Sequence, residues 1–450
     1  MTFWDHIRLR YRQIFAIEEI EHSSILQWFF GAMLFFFFLT FSRFIGLGAA
    51  GTEIAERGAA VCWPYFQNCS SLFTLTDLPF GYSQSEFYMV LYAVMLYIVY
   101  LMWKKDWVHA HFLLTVLWLW KMFVIFVLSY IIAGPYDYYH VILTAILLFI
   151  PFKEYFLKLA FVFLYFMSVT TKFDSTWVVG SYFSAMKTGL PLFPDALTPF
   201  FSNLVIFSQV IGCWFLLSKR WVFQRAALIF FVSFHLYSGI LVHYTYPSIA
   251  LPPLLILFGP LYRHTPTPFS KKALWGWLVI LIIAAFQVLG FIVPGDRRMS
   301  LEANRFGMFM FEANHQCIAD VRTHMRTPTA ASSTTESFSC SGFYCLTRTS
   351  IYPDAGGMVQ QERYESASAW NRCDPYEWWS RLHKACAKNP EVSRIAMRFD
   401  HSINGGAFYR IVDVPNVCDL AYKPFVRNEW IQLPPEAPIV GYPVQNFYSF

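Results

Sequence analysis

Residues 273–293 read ALWGWLVILIIAAFQVLGFIV, and this stretch decides how the chain is divided. It contains no charged side chain and matches the roughly 20 apolar residues that cross the hydrocarbon core of a bilayer. After residue 294 the hydropathy falls, and charged residues become as frequent as in soluble domains. We therefore predict a transmembrane domain at 1–293 and a second domain at 294–450.

The composition of the whole chain is that of a polytopic membrane protein. Aromatic residues make up 20% and charged residues 14%, against about 25% charged residues in soluble domains. The mean hydropathy is +0.41. The net charge of +5 is small for 450 residues and falls in short loops. It therefore argues for membrane topology, with lipid as a partner, and against a nucleic-acid partner.

Nine apolar runs are long enough, or nearly so, to span a bilayer. They lie at about 26–48, 86–102, 111–133, 138–152, 155–171, 201–217, 226–243, 248–262 and 273–293. Lys and Arg cluster in alternate loops, as expected on the cytoplasmic side. A nine-helix count reproduces this alternation, with a cytoplasmic N-terminus and a luminal or periplasmic C-terminal domain. The membrane is then that of the endoplasmic reticulum or the bacterial inner membrane.

The C-terminal segment shows mixed secondary-structure patterns. Residues 395–399 and 408–412 alternate like half-buried strands. Tyr376–Lys388 has the apolar spacing of an amphipathic helix, and the Ser/Thr-rich stretch Thr327–Ser339 predicts a loop. The predicted fold is a polytopic α-helical membrane protein with a C-terminal α+β, β-rich domain.

Eight of the nine cysteines fall on the predicted non-cytoplasmic side, and only Cys213 lies in an apolar run. The eight are Cys62, Cys69, Cys317, Cys340, Cys345, Cys373, Cys386 and Cys418. An even number in an oxidising compartment indicates disulfides, although the sequence leaves their connectivity open. Metal binding is the alternative, but no paired CxxC spacing supports it, and no metal is expected.

Residues 172–180 read KFDSTWVVG and follow an apolar run. Ionisable residues beside hydrocarbon are costly, so Lys172 and Asp174 are candidates for function. Loss of hydration favours the neutral amine, which could act as a base. The structural alternative is that Lys172 extends to the lipid headgroups and pairs with Asp174.

Two histidines could join this site. His235 lies inside the seventh apolar run, where such a residue usually faces the bundle interior, and an interhelical hydrogen bond is the alternative. His140 opens the fourth run at the same predicted membrane face as Lys172. There the alternative is an interfacial position beside an aromatic belt. No nucleotide-binding glycine loop, HExxH or GxSxG motif competes with this site.

The 172–180 stretch, followed by FVSFH at 231–235, resembles the vitamin K-dependent γ-glutamyl carboxylase family, which belongs with the horizontally transferred transmembrane (HTTM) domains. His140 falls where the family has a histidine that opens a helix. The stretches 399–404 and 428–431 look like the start of the family's luminal β-rich domain.

The resemblance implies a quinol-dependent chemistry. In the family, a lysine deprotonates reduced vitamin K (the hydroquinone), which reacts with oxygen to give the epoxide. This reaction removes a γ-proton from a substrate glutamate, and the resulting carbanion captures carbon dioxide. Lys172 would be the base, Asp174 its partner, and His140 and His235 would line the pocket. The residues beside them, Trp177, Tyr139 and Phe234, would contact the cofactor.

Some positions depart from the family pattern. Thr171 replaces the first of two adjacent lysines, and Tyr139 replaces an asparagine. The family's substrate arginine has no clear counterpart, so Arg305, Asn314 and His315 are candidates for a different substrate surface; a polar cap of the outer domain is the alternative. The resemblance also implies that Cys62 or Cys69 pairs with Cys386.

The sequence leaves three functions open. The first is a vitamin K-dependent carboxylase-like enzyme acting on glutamate in a protein or peptide. The second is a membrane quinol oxidase or epoxidase that carboxylates nothing. The third is a non-enzymatic membrane binding protein with a disulfide-bonded outer domain.

Overall fold

The structure is a computed structural model that describes most of the chain. The described residues are 3–46, 61–67, 69, 84–128, 134–185, 189–241, 244–294, 296–309, 313–326, 332–341, 344–354, 357–366 and 373–441. The chain divides into two compact units. The first contains residues 1–170 and 204–285, and the second contains 171–203 and 286–450. The second unit thus includes the segment that carries Lys172 and resumes at residue 286; the domain boundary at 293 stays a prediction.

Helices account for most of the chain before residue 300. They are α1 (Phe3–Ile14), α2 (Ile17–His22), α3 (Ser24–Gly46), α4 (Gln84–Trp103), α5 (Trp107–Phe123), α6 (Pro135–Phe149), α7 (Lys153–Val169), α8 (Ser175–Val178), α9 (Ser181–Ala185), α10 (Thr198–Val210), α11 (Trp221–Leu241), α12 (Thr245–Phe258), α13 (Leu274–Ile292), α14 (Arg297–Ser300) and, later in the chain, α15 (Pro375–Lys388). A π-helical turn, Val124–Leu128, extends α5.

Six helices among the described residues are long and apolar enough to cross a membrane. They cover Ser24–Phe44, Glu86–Trp103, Trp107–Val127, Lys153–Lys172, Trp221–Leu241 and Lys271–Ile292. Two shorter apolar helices cover Tyr136–Phe149 and Tyr246–Phe258. The predicted run 201–217 is not one helix, because α10 ends at Val210 and a 3₁₀ segment, Gly212–Leu217, follows. The structure therefore has six candidate membrane spans among the described residues, and the count of nine stays a prediction.

The first span illustrates why these helices suit lipid. On α3, Phe30, Phe37 and Phe41 are fully buried, whereas Phe35 and Phe38 are about half exposed. A helix that is apolar on its buried and its exposed faces is typical of a bilayer segment. An α-helix also pairs its backbone polar groups internally, as hydrocarbon requires.

The second unit contains an antiparallel sheet of seven strands among the described residues. The strands are β1 (His315–Met325), β2 (Ser333–Ser341), β3 (Tyr344–Asp354), β4 (Gly357–Ser366), β5 (Val392–Ile403), β6 (Phe408–Val414) and β7 (Ile439–Val440). Their order in the sheet is β2-β3-β4-β1-β5-β6-β7. Helix α15 packs on one face, where Trp378 contacts Tyr344, Tyr364 and Phe399.

Most local predictions for this unit are confirmed. Residues 395–399 and 408–412 lie within β5 and β6, and the amphipathic helix is α15. The loop predicted at Thr327–Ser339 is wrong over Ser333–Ser339, which belongs to β2; residues 327–331 lie outside the described residues. The Ser/Thr-rich strand is stabilised by pairing with β3, which a local turn signal does not reveal.

The cysteines form four disulfides, and Cys213 is free. The pairs are Cys62–Cys69, Cys317–Cys373, Cys340–Cys345 and Cys386–Cys418. The eight cysteines predicted to be oxidised are thus paired. The expected link from Cys62 or Cys69 to Cys386 is wrong, because the first two bond to each other across a short loop with Cα atoms 5.7 Å apart. Each disulfide is local to one unit.

Candidate functional site

The segment that carries Lys172 is built around Asp174. A 3₁₀ turn, Thr170–Lys172, ends the long helix, and Asp174 then caps α8. The Asp174 Oδ1 atom accepts hydrogen bonds from the backbone N–H of Thr176 at 2.8 Å and from the Thr176 hydroxyl. Aspartate is a favoured N-cap because its carboxylate accepts the free N–H groups of the first turn. The aspartate therefore sets the direction of the chain immediately after Lys172.

The other oxygen of Asp174 binds Arg298. The Nη1 atom of Arg298 lies 2.5 Å from Asp174 Oδ2, and its Nε and Nη2 atoms contact Asp296 at 3.0 and 2.8 Å. One guanidinium thus lies between two carboxylates. Burial alone would raise the pKa of Asp296, but its hydrogen bond to Arg298 and the charge of Arg298 together lower it.

Sequence reasoning missed Arg298, although a signal was present. Arg297 and Arg298 follow the last apolar run on the predicted non-cytoplasmic side. Basic residues are under-represented next to spans on that side, so a pair of arginines there needs a specific partner. In the structure Arg298 binds the carboxylates of Asp174 and Asp296, and Arg297 lies over the Phe291 ring.

Lys172 itself is buried against an aromatic cluster. Its side chain is 3% exposed, and its Nζ atom lies 5.5 Å from the centroid of the Trp177 ring. Trp177 stacks on Tyr182 with centroids 4.8 Å apart and meets the edge of Phe183 at 5.1 Å. A cation over an indole face is attracted to it, by roughly 2 kcal/mol when desolvated. These contacts bring together two of the predicted residues, Lys172 and Trp177.

Two asparagines tie this segment to the sheet. The Asn404 side chain donates to the Thr176 hydroxyl at 3.0 Å and accepts from the Asn314 N–H at 2.9 Å. The side-chain Nδ2 of Asn314 in turn donates a hydrogen bond to the carbonyl of Tyr182 at 2.8 Å. The predicted residue Asn314 therefore holds the Lys172 segment in place, and Asn404 does so as well. A substrate-binding role for Asn314, which is 1% exposed, stays a prediction.

The other two predicted substrate residues, His315 and Arg305, contact side chains of the second unit. His315 Nδ1 lies 3.0 Å from His401 Nε2, and His401 Nδ1 lies 2.9 Å from the Met299 carbonyl. Since a carbonyl only accepts, His401 donates from Nδ1 and accepts from His315 at Nε2. Arg305 Nε lies 3.7 Å from the carboxylate of Asp374, the N-cap of α15.

In the first unit, His140 belongs to a buried charged network. The Lys121 ammonium lies 2.7 Å from His140 Nδ1, 2.9 Å from Asp137 and 3.1 Å from the Thr40 hydroxyl. The other ring nitrogen of His140 donates to the Met33 carbonyl at 3.1 Å. Both nitrogens are therefore occupied, which indicates that His140 positions its neighbours. Sequence reasoning missed Lys121, although a lysine within an apolar run was a signal.

The second histidine of the first unit lies in a ring of aromatic side chains. His235 is fully buried, and its Nε2 atom is hydrogen-bonded to the Tyr165 hydroxyl. Its ring centroid lies 5.4 Å from that of Tyr246 and 5.3 Å from that of Phe234, and Tyr246 is 5.8 Å from Tyr139. Of the predicted cofactor residues, Phe234 thus contacts His235 directly, and Tyr139 is connected to it through Tyr246.

The predicted catalytic residues form two groups. Lys172 and Asp174 belong to the second unit, and His140 and His235 belong to the first. Within the described part of the chain, no group of three or more His, Cys, Asp or Glu side chains is placed to hold a metal ion. The chain matches no protein-family model, no curated protein and no solved structure.

Proposed function

We propose that this protein is an integral-membrane enzyme of the vitamin K-dependent carboxylase type. It would couple epoxidation of a hydroquinone to γ-carboxylation of glutamate in a protein or peptide, with oxygen and carbon dioxide as co-substrates. The observation that carries the proposal is Lys172, a buried amine against the face of Trp177. A buried lysine next to an aromatic wall is suited to take a proton from a flat, apolar phenol.

The surroundings of Lys172 fit a hydroquinone. Trp177, Tyr182 and Phe183 pack on one another beside Lys172 and are each at most 5% exposed, so a hydroquinone would stack there in place of one of these ring contacts. Asp174 shares one guanidinium, that of Arg298, with Asp296, so the carboxylate has a cationic partner other than Lys172.

Each residue would have a distinct part in the reaction. Lys172 would accept a hydroxyl proton, Asp174 would fix the turn that follows Lys172, and Trp177 would orient the ring. The bound hydroquinone supplies, through its reaction with oxygen, the basicity that a glutamate γ-proton requires. The apolar side chains would exclude water, which otherwise quenches a strong base.

The test is an assay of the detergent-purified chain with vitamin K hydroquinone, oxygen, labelled bicarbonate and a glutamate-rich peptide. We expect both epoxide and incorporated label, and we expect Lys172→Ala to lose both. Lys388→Ala, which removes an exposed lysine at the end of α15, should keep both activities. Retention of full activity in Lys172→Ala would refute the role of this lysine.

A second candidate is quinol epoxidation without carboxylation. It is favoured by the burial of Asn314 and His315, which are 1% and 2% exposed and so do not offer an open surface for a glutamate. Epoxide formed without label would support this candidate. Neither product would favour the third hypothesis, a non-enzymatic binding protein.

We also infer the finer topology of nine crossings, a cytoplasmic N-terminus and a luminal or periplasmic second domain. The pairing of all eight predicted cysteines supports an oxidising side. Labelling of single introduced cysteines with a membrane-impermeant maleimide tests it. A cysteine at position 388 should react from the non-cytoplasmic side and one at position 9 should not; the reverse pattern would exclude this orientation.

A further inference from the structure

A cavity of about 440 Å³ lies on one face of the sheet in the second unit. Its lining comes mainly from β1, β3, β5 and β6. Successive side chains of a strand point to opposite faces. Since Phe399 of β5 packs on Trp378 of α15 with ring centroids 6.4 Å apart, Arg398 next to it points to the other face. The cavity is therefore on the face that α15 leaves uncovered.

Most charged side chains at the cavity are already paired. The pairs are Arg398 with Asp413 at 3.3 Å, His324 with Asp354 at 3.4 Å, and Asp320 with Arg363 at 3.9 Å. Asp320 and Asp413 thus each face a guanidinium, whereas the contact of Asp354 with His324, whose pKa is lowered chiefly by burial, is a hydrogen bond and not an ion pair.

Arg322 and Arg394 differ from these groups. Over the described ranges neither forms an ion pair with a carboxylate, and the buried Nε of Arg322 has no hydrogen-bond acceptor there. In the register of β1 and β5, Arg322 is opposite Ala396 and His324 is opposite Arg394. The two arginines are thus diagonal neighbours on one face, within reach of each other's long side chains.

Two adjacent guanidinium groups repel each other unless an anion lies between them. The pKa of His324, on the same face, is lowered first by burial and then by the positive charge of Arg394. Arginine is suited to such an anion because its planar fork donates two parallel hydrogen bonds to a carboxylate or phosphate.

The space beside the arginines is larger than an oxyanion needs. Ala396 faces Arg322 with only a methyl group, and Tyr352 and Val359 add apolar surface to the lining. The volume lies within the roughly 300–1,000 Å³ of small-molecule sites. The lining therefore offers two cations for an anionic group and an apolar wall for an organic body.

We propose that this cavity binds a phosphate monoester, with the phosphate held by Arg322 and Arg394 and the organic group against Tyr352 and Val359. The three oxygens of a phosphate monoester can accept hydrogen bonds from both arginines at once, which the two oxygens of a single carboxylate do less well. The ester could be a free metabolite or a lipid headgroup, and both present the same chemistry. The proposal goes beyond the quinol chemistry of Lys172 and does not depend on it.

The test is isothermal titration of the full chain in detergent with phenyl phosphate, glycerol 3-phosphate and inorganic phosphate. We expect at least one ester to bind more tightly than inorganic phosphate. Arg322→Ala and Arg394→Ala should each weaken that binding roughly tenfold or more. Ala396→Leu, which fills the cavity without changing charge, should weaken it as well. Arg348→Ala, which removes an exposed arginine of β3 outside the cavity, is the matched control and should have no effect.

The outcomes separate the possibilities. Tighter binding of glycerol 3-phosphate assigns the site to an aliphatic ester and tighter binding of phenyl phosphate to an aromatic one; competition by vesicles that contain phosphatidic acid assigns it to a lipid headgroup. Arg322→Lys keeps the positive charge but loses the two-pronged guanidinium, so its affinity should lie between those of wild type and Arg322→Ala. This variant also separates loss of binding from misfolding. The proposal fails if no phosphate binds the folded chain, if the arginine variants bind like wild type, or if only a glutamate-rich peptide binds through the same arginines.

Discussion

Arg298 is the residue on which the Lys172 segment depends most directly, because it binds Asp174 and Asp296 at once. We expect Arg298→Ala to lower the free energy of unfolding by roughly 3 kcal/mol, since it leaves two partly buried carboxylates without their cation. It should also abolish epoxide formation, because the turn after Lys172 would lose its anchor. Thermal unfolding followed by tryptophan fluorescence, together with the epoxide assay, measures both effects.

The control for this prediction is another arginine–aspartate pair of the same unit. Arg398 and Asp413 are both about 40% exposed, and exposed pairs contribute less than about 1 kcal/mol. Arg398→Ala should therefore leave stability and epoxidation close to wild type. Equal losses in the two variants would show that Arg298 has no special role.

A second prediction at this scale concerns pH. Burial, and then the neighbouring His315, lower the pKa of His401 to about 3, whereas an unfolded histidine titrates near 6.5. The folded state therefore binds fewer protons than the unfolded state between these values. Stability should be complete above about pH 6.5 and should fall progressively as the pH drops towards 3.

Melting temperatures measured from pH 7.5 to 4.5 check this prediction. His401→Gln should flatten the dependence in that range, because the group that resists protonation is gone. A wild-type melting temperature that does not change across the range would contradict the assignment.

At the scale of elements, the turn after β5 holds the segment that contains α8 and α9. Asn404 has a φ of +53°, a left-handed conformation that asparagine and glycine adopt more readily than other residues. Its side chain bonds Thr176 and Asn314. The turn thus needs both the backbone conformation and the amide.

Two substitutions separate these contributions. Asn404→Gly keeps the backbone conformation and loses the side-chain bonds, which we expect to cost about 2 kcal/mol at about 1 kcal/mol per bond. Asn404→Ala should cost about 1 kcal/mol more, because alanine is strained at this φ. Thermal unfolding of the two variants checks the order; an equal loss would show that the conformation is unimportant.

The local elements were largely predictable, and their partners were not. The spacing of apolar residues was sufficient for α15, β5 and β6, since each has a period that reflects its own buried face. Strand β2 was missed because its Ser/Thr composition resembles a loop, and only its pairing with β3 makes it a strand. Lys172 and Asp174 were predicted as candidates from their cost beside hydrocarbon, whereas Arg298 and Asn404, which contact Asp174 and Thr176, come from distant parts of the sequence.

At the scale of the whole molecule, composition and hydropathy predicted the apolar helices, of which six are candidate spans, and the oxidised state of the eight cysteines. They could not supply the cysteine pairing, because any even set permits several connectivities. They also could not show that residues 171–203 belong to the same compact unit as 286–450. Hydropathy reports where a chain leaves the bilayer but not which segments fold together.

The discontinuity of the second unit has an evolutionary consequence. The chain passes between the units at three points, after residues 170, 203 and 285. A gene fusion that copied only the stretch after the last apolar helix would leave behind Thr176 and Tyr182, to which Asn404 and Asn314 bind. The second unit therefore cannot be transferred between proteins as one contiguous segment.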